Sequence, residues 1–262
     1  MAILAGIDMS MVPQDWEFPV LLKELVAEGA ISEARIDLSV RRILTLKERL
    51  GLLEEGGDTL PDMLTAEERV ALEKAPAQAA LECITLLKNE NDVLPIAGSA
   101  NVFVSGPTAN SLNALNGGWS GTWQGKNPKY NNPGRKTAVE AMRDEFGPGR
   151  VQFEELESME FTGEDIRRVS SALRRARPDV AVLFLGEMPY TEFMGNIGDL
   201  RLADNQLELV RAVRATGTPL VAVFVEGRPR TFSQVEDDLD GVVMALSLIH
   251  ISEPTRLRRI SY

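Results

Sequence analysis

Two unbroken apolar runs, Val180–Leu185 and Leu220–Val225, constrain the fold more than any other feature of this 262-residue chain. A strand with one wet face alternates apolar and polar residues. A strand that is apolar at every position is covered on both faces. Around these runs, β-rich and helical patterns alternate. Asn101–Ser105, Val151–Glu154, Asp179–Leu185, Pro219–Val225 and Gly241–Ala245 are expected strands. Thr137–Phe146, Glu164–Arg175 and Asp204–Ala215 are expected helices between them. This alternation predicts an α/β fold, a mostly parallel sheet with helices on both sides. The functional edge of such a sheet is the carboxyl ends of its strands. Attention therefore goes to the loops after Ser105, Leu185 and Val225.

The N-terminal part has a different rhythm. Phe18, Leu21, Leu22 and Leu25 recur at helical spacing until Gly29, and Ser32 is placed to cap a second helix that ends at Gly51. Paired glycines and a proline mark residues 51–64 as a linker. Thr65-Ala-Glu-Glu68 has the spacing of a capping box. It opens an Ala-rich helix expected to run towards Lys88, with a kink at Pro76. The organisation expected is 1–50, then a connecting stretch 51–75, then an α/β domain 76–246, then a tail 247–262. The tail Leu248–Tyr262 carries three Arg and one Glu after an apolar strand with no loop behind it. It resembles translated adapter sequence, in which no role is expected for His250; a native basic tail is the alternative.

Charge and rare residues remove several chemistries. Lys and Arg number 28 against 39 Asp and Glu, for a net charge of −11. That balance argues against nucleic acid and against anionic membrane surfaces as partners. No apolar stretch is long enough to span a bilayer. The first residues lack the basic region and cleavage site of a secretion signal. Cys83 is the sole cysteine and His250 the sole histidine, so there is no intrachain disulfide and no zinc-ligand spacing. On its expected helix Cys83 is a buried, inert thiol. Glycine-rich phosphate loops are absent, and Pro107 removes an amide where a phosphate would need one. No cofactor is expected. Carboxylates remain for acid–base work.

Two segments fit such work. The loop Gly186–Leu202 holds Glu187, Glu192 and Asp199, with Tyr190 among them, at the carboxyl edge of the sheet. A carboxyl in apolar or like-charged surroundings can serve as a general acid; a solvated acidic loop is the plain alternative. The second segment, Asn116–Gly125, places Trp119 and Trp123 four apart among glycines. Tryptophan faces match the C–H faces of sugar rings, but two rings plugging gaps in an interdomain core would look the same.

Five stretches in this order resemble glycoside hydrolase family 3. They are Ala5-Gly-Ile-Asp-Met-Ser-Met-Val-Pro13; Arg35–Leu44 with Leu50-Gly-Leu-Leu53; Leu81–Asn89 with Leu94-Pro; Gly117-Gly-Trp-Ser-Gly-Thr-Trp-Gln-Gly125; and Gly186-Glu-Met-Pro-Tyr-Thr-Glu192 with Val225-Glu-Gly-Arg-Pro229. The resemblance covers about residues 2–245. It implies the last helices of a (β/α)8 barrel followed by an incomplete (α/β)6-type sandwich. It implies a retaining, exo-acting β-glucosidase of gluco-oligosaccharides or aryl glucosides, in which Glu192 is the acid/base and Trp123 and Trp119 line the sugar site. The family's S-D-W type nucleophile motif lies upstream of the A-G-x-D-M stretch. Asp15-Trp16 follows that stretch and is a decoy, while Asp8 belongs to it. The chain is therefore expected to be a fragment without its nucleophile, inactive and poorly soluble alone. A periplasmic or secreted location fits the family, but the sequence does not fix one. A non-catalytic sugar-binding domain and a β-xylosidase of the same family are the alternatives.

Overall fold

The computed structural model describes residues 1–12, 15–54, 65, 67–68 and 78–246. They belong to two compact units, Met1–Ala66 and Glu67–Tyr262. Most of the expected linker, the kink at Pro76 and the whole tail lie outside the described residues.

The first unit is built on two helices, α1 (Glu17–Ala27) and α2 (Glu33–Arg49). The Ser32 hydroxyl caps α2 by accepting from the Arg35 amide at 3.3 Å. Asp15 Oδ1 accepts from the Glu17 amide just ahead of α1, whose N-cap residue Trp16 makes no side-chain cap bond. Arg35, Ser39 and Arg42 are spaced to share one face of α2, and all three hold Asp8. Ser39 Oγ donates to Asp8 Oδ1 at 2.9 Å, and Arg42 donates to both carboxylate oxygens at 3.1 Å. Arg35 adds a contact at 3.3 Å and also donates to the carbonyls of Ile3 and Ile7. The Ser39 hydrogen bond, with help from Arg42, keeps the Asp8 carboxyl below its ordinary range. Asp8 thus ties the opening segment to α2. On the helices themselves, Leu21, Leu25 and Leu44 are exposed.

The second unit is a six-stranded sheet in the order β1-β6-β5-β4-β2-β3. Its strands are β1 (Ile84–Asn89), β2 (Val102–Ser105), β3 (Val151–Phe153), β4 (Val180–Gly186), β5 (Leu220–Glu226) and β6 (Gly241–Leu246). β2 to β6 are parallel to their neighbours, and only β1 runs antiparallel, against β6. Every residue of β4 and β5 is buried. The period-2 geometry of a strand divides them between two cores. Ala181, Leu183, Leu185, Ala222 and Phe224 face one core with α4 (Gly163–Ala176) and α5 (Asp204–Arg214). Val180, Val182, Phe184, Val221, Val223 and Val225 face the other with α3 (Ala138–Phe146).

One expectation is overturned. The helical stretch 78–83 does not reach Lys88; Ile84–Asn89 form β1 instead. Ile84, Leu86 and Lys88 are half-buried while Thr85, Leu87 and Asn89 are exposed, the alternation of an edge strand. The backbone of β6 supplies the missing incentive, because an unpaired edge leaves its amides and carbonyls without partners. That demand is non-local and invisible in the run Ile-Thr-Leu-Leu-Lys-Asn. Cys83 accordingly ends the helical stretch, half-buried and unpaired, rather than sitting inside a helix.

The strand order also positions the loops that carry the candidate residues. β2 lies between β3 and β4. The chain leaves β2 for α3 on one face of the sheet, and leaves β4 for α5 on the other. The loops after these adjacent strands therefore diverge at a topological switch point, the place where such sheets open a crevice. The loop after β2 bears Trp119 and Trp123, and the loop after β4 bears Glu192.

Candidate active site

The two loops meet through backbone and amide contacts. The Gln124 side chain donates to the Thr191 carbonyl at 3.2 Å and accepts from the Thr191 amide at 3.1 Å. Gly118 lies so close that a Cβ there would stand 2.7 Å from Thr191 Cβ and from the Tyr190 carbonyl oxygen. Trp123 packs edge-on against Phe193, with ring centroids 5.4 Å apart. Trp119 is 61% exposed and Trp123 39%, so neither ring is buried within this unit's own core. The Trp119 amide donates to the Trp123 carbonyl at 2.9 Å, which closes the tryptophan turn.

Glu192 opens a short 3₁₀ turn, Glu192–Gly195, with φ at +53°. Trp119 has φ at +67°. A bulky residue in left-handed backbone is strained by crowding at Cβ, and such strain gathers at functional sites. The three carboxylates of this loop have different fates. Glu187 is only 15% exposed and binds Arg228 at 3.4 Å and Arg230 at 3.1 Å. Asp199 pairs with Arg201 at 2.6 Å, which holds its carboxyl low. The Glu192 carboxyl is exposed and has no hydrogen bond or ion pair among the described residues. It is the carboxyl of the three left available for a ligand.

Beneath this turn is a charged cluster that the sequence alone did not assemble. Tyr190 lies under the Arg228 guanidinium at 3.9 Å from its ring centre. Gly195 presses on the same ring, where a Cβ would come within 2.2 Å. Burial raises the Tyr190 pKa well above its ordinary value, and the nearby Glu187 carboxylate adds to the rise. Its hydroxyl is buried and makes no hydrogen bond of ordinary geometry among the described residues. Glu226, the last residue of β5, is completely buried. Its Oε1 accepts from the Arg230 amide at 3.0 Å, while Oε2 has no partner among the described residues. Loss of hydration pushes the Glu226 carboxyl up to about 7, against the pull of the Arg230 amide. The sequence signals for Glu226 were its place at the end of an otherwise apolar strand and in the stretch Val225-Glu-Gly-Arg-Pro229. Gln206 braces the start of the Glu192 loop by bonding both the amide and the carbonyl of Gly186, at 2.9 and 2.8 Å.

A separate cleft of about 330 Å³ lies beside these loops, lined by Asn110, Asn113, Glu155 and Met188 among others, and includes neither Glu192 nor the tryptophans. Among the described residues, no cluster of three or more His, Cys, Asp or Glu is arranged to hold a metal ion.

Residues 84–248 match the glycosyl hydrolase family 3 C-terminal domain. The chain belongs to glycosyl hydrolase family 3. It is 39% identical over 241 residues to a lysosomal beta glucosidase of Dictyostelium discoideum, covering 87% of this chain and 29% of that protein. Among solved structures, a beta-glucosidase from Listeria innocua in complex with glucose superposes with a TM-score of 0.77 at 29% identity, over 98% of this chain and 33% of that one. An exo-1,3/1,4-beta-glucanase from a Pseudoalteromonas species gives 0.72 at 31% identity, over 94% of this chain and 30% of its own. The chain thus spans about a third of the length of these relatives. The six-stranded, mostly parallel sheet is the α/β sandwich of the family.

Proposed function

We propose that this chain supplies the acid/base half of a retaining, exo-acting β-glucosidase active site, with Glu192 as the proton donor. The single observation behind this reading is Glu192 itself: exposed, unpaired, on strained backbone, and flanked by the Trp123–Phe193 pair. Its two loop companions are committed to arginines.

Retaining hydrolysis uses two carboxyl groups about 5–5.5 Å apart. One protonates the leaving glycosidic oxygen as the other attacks the anomeric carbon; the first then takes a proton from water to release the sugar. Glu192 fits the first role. Asp8 is held by Arg35, Ser39 and Arg42, and Glu187 by two arginines, so neither fits the second. The nucleophile in this reading comes from a family barrel. Trp119 and Trp123 offer apolar faces to the sugar beyond the cleaved bond, and the substrate class is a terminal β-glucoside of an oligosaccharide or aryl glucoside. The glucose-bound Listeria relative supports that class.

The test is Glu192→Gln in an enzyme where residues 1–246 are continuous with a complete family barrel. Loss of a general acid/base lowers turnover by roughly 10²–10⁴-fold. Azide should restore part of the turnover of an activated aryl glucoside and yield the β-glucosyl azide, since azide needs no base to attack the glycosyl-enzyme. Unchanged turnover would leave a sugar-binding domain as the better reading.

A further inference from the structure

We propose that Glu226 is a positioning residue: its carboxyl, through Arg230, Arg228 and Glu187, sets the seat of the loop that carries Glu192. The contacts form one chain. Glu226 Oε1 accepts the Arg230 amide, and the Arg230 guanidinium binds Glu187 Oε2. Glu187 Oε1 accepts from Arg228 Nε, and the Arg228 guanidinium lies on the Tyr190 ring. That ring is the floor on which Gly195, the end of the Glu192 turn, rests. Arg230 also donates to the Arg201 carbonyl at 2.6 Å, so the far end of the loop hangs on the same side chain.

Charge makes this chain responsive. Two arginines face two glutamates, so the cluster is neutral when Glu226 is ionised and carries one excess positive charge when it is protonated. The charged groups acting on Glu226 are Glu187 from the loop after β4, and Arg228 and Arg230 from the loop after β5. Asp199 and its partner Arg201 stand one step further out, against Arg230. Ionisation also leaves Oε2 as a buried anionic oxygen without a donor, a costly condition. The Tyr190 hydroxyl lies by the Glu187 carboxylate, and Gly227, the residue after Glu226, packs against that end of the ring. Ionising Glu226 therefore pulls on Arg230 and Arg228, and through Arg228, which lies on the Tyr190 ring, on the Glu192 turn. The carboxyl titrates near neutrality, which puts this response at an accessible pH.

The inference rests on the acid/base reading only for its consequence in catalysis; its test needs no turnover. Trp123, packed on Phe193 next to Glu192, is a built-in reporter. In the full chain with Trp16→Phe, Trp119→Phe and His250→Asn, Trp123 is the one tryptophan and no histidine titrates. Its emission should shift once between about pH 5 and pH 8.5, with a midpoint near 7. Glu226→Gln should hold the low-pH emission throughout. A flat wild-type profile, or the same shift in the variant, overturns the proposal. Should Glu226→Gln fail to fold, carbon NMR of the labelled Glu226 carboxyl in the parent decides: a midpoint near 7 accompanying the Trp123 shift supports the proposal, and one in the ordinary glutamate range overturns it. If Glu226 governs the Trp123 emission while Glu192→Gln leaves turnover unchanged, the acid/base reading fails and this one stands.

Discussion

Glu192 and Trp119 hold left-handed backbone although neither is glycine, and their turns are pinned together by Gln124 and Thr191. The strain is sustained because the loops leave no room to relax: Gly118 sits where any side chain would strike Thr191 and Tyr190. Gly118→Ala tests this at one atom. The added methyl must push the loops apart or be accommodated by overpacking that costs about 1–3 kcal/mol. In the barrel-joined enzyme we expect turnover to fall by up to about 10²-fold, the scale of a misplacement near an ångström, with the Trp123–Phe193 emission altered in the chain itself. Turnover and emission both at parental values would mean that the close approach of the loops is incidental. At this scale the sequence marked two loops, one with Trp119 and Trp123 and one with Glu187, Glu192 and Asp199, because aromatic and acidic residues at a strand's carboxyl edge stand out; the choice of Glu192 among the three carboxylates came from the family resemblance. Glu226 and Arg228 stood in the stretch Val225–Pro229, but their joining with Arg230 and Glu187 was not legible, because burial and mutual contact are not written in residue type.

Helices α3 and α4 each begin with a capping box. Thr137 and Glu140 bond reciprocally at α3, and Thr162 and Asp165 do so at α4. The two differ in surroundings. Thr137 is buried and its hydroxyl also meets Asn110 Oδ1 at 3.1 Å, which joins α3 to the loop after β2. Thr162 is exposed and local. Thr162→Ala should cost about 1 kcal/mol in urea unfolding, the ordinary value of a cap, and Thr137→Ala more, towards about 2 kcal/mol. Equal losses would mean that the Asn110 contact contributes nothing. At this scale the sequence was most readable where one element's demands are met locally: continuous apolar runs gave β4 and β5, and helical spacing gave α1 to α5. It failed at β1, where Ile84–Asn89 obey the needs of β6, more than 150 residues further on. Parallel order, too, needed a rule of connection rather than a residue pattern, and the switch point between β2 and β4 followed from that order.

For the whole second unit, the buried Glu226 sets a pH dependence opposite to that of ordinary surface carboxylates. Asp165 is held down to about 2 by its hydrogen bonds from Thr162. It therefore adds stability above its unfolded pKa, and that stability is lost as pH falls towards 2. Glu226 works the other way. Folded, it keeps its proton to about pH 7; unfolded, it would release it near 4.5. Below 4.5 both states are protonated and the charge costs nothing. Between 4.5 and 7 the unfolded chain has released a proton that the folded chain retains, so stability falls as pH rises. Above 7 the folded state carries the buried charge in full, at a cost of about 3 kcal/mol relative to acid conditions. The net charge of −11 at neutral pH acts in the same direction, through repulsion that weakens on acidification. Only a difference between proteins isolates the single group. We expect the urea stability of the parent to drop by about 3 kcal/mol more than that of Glu226→Gln when pH is raised from about 4.5 to about 8. Parallel stability profiles for the two would mean that Glu226 reaches water, or finds a donor for Oε2, at no cost to the fold.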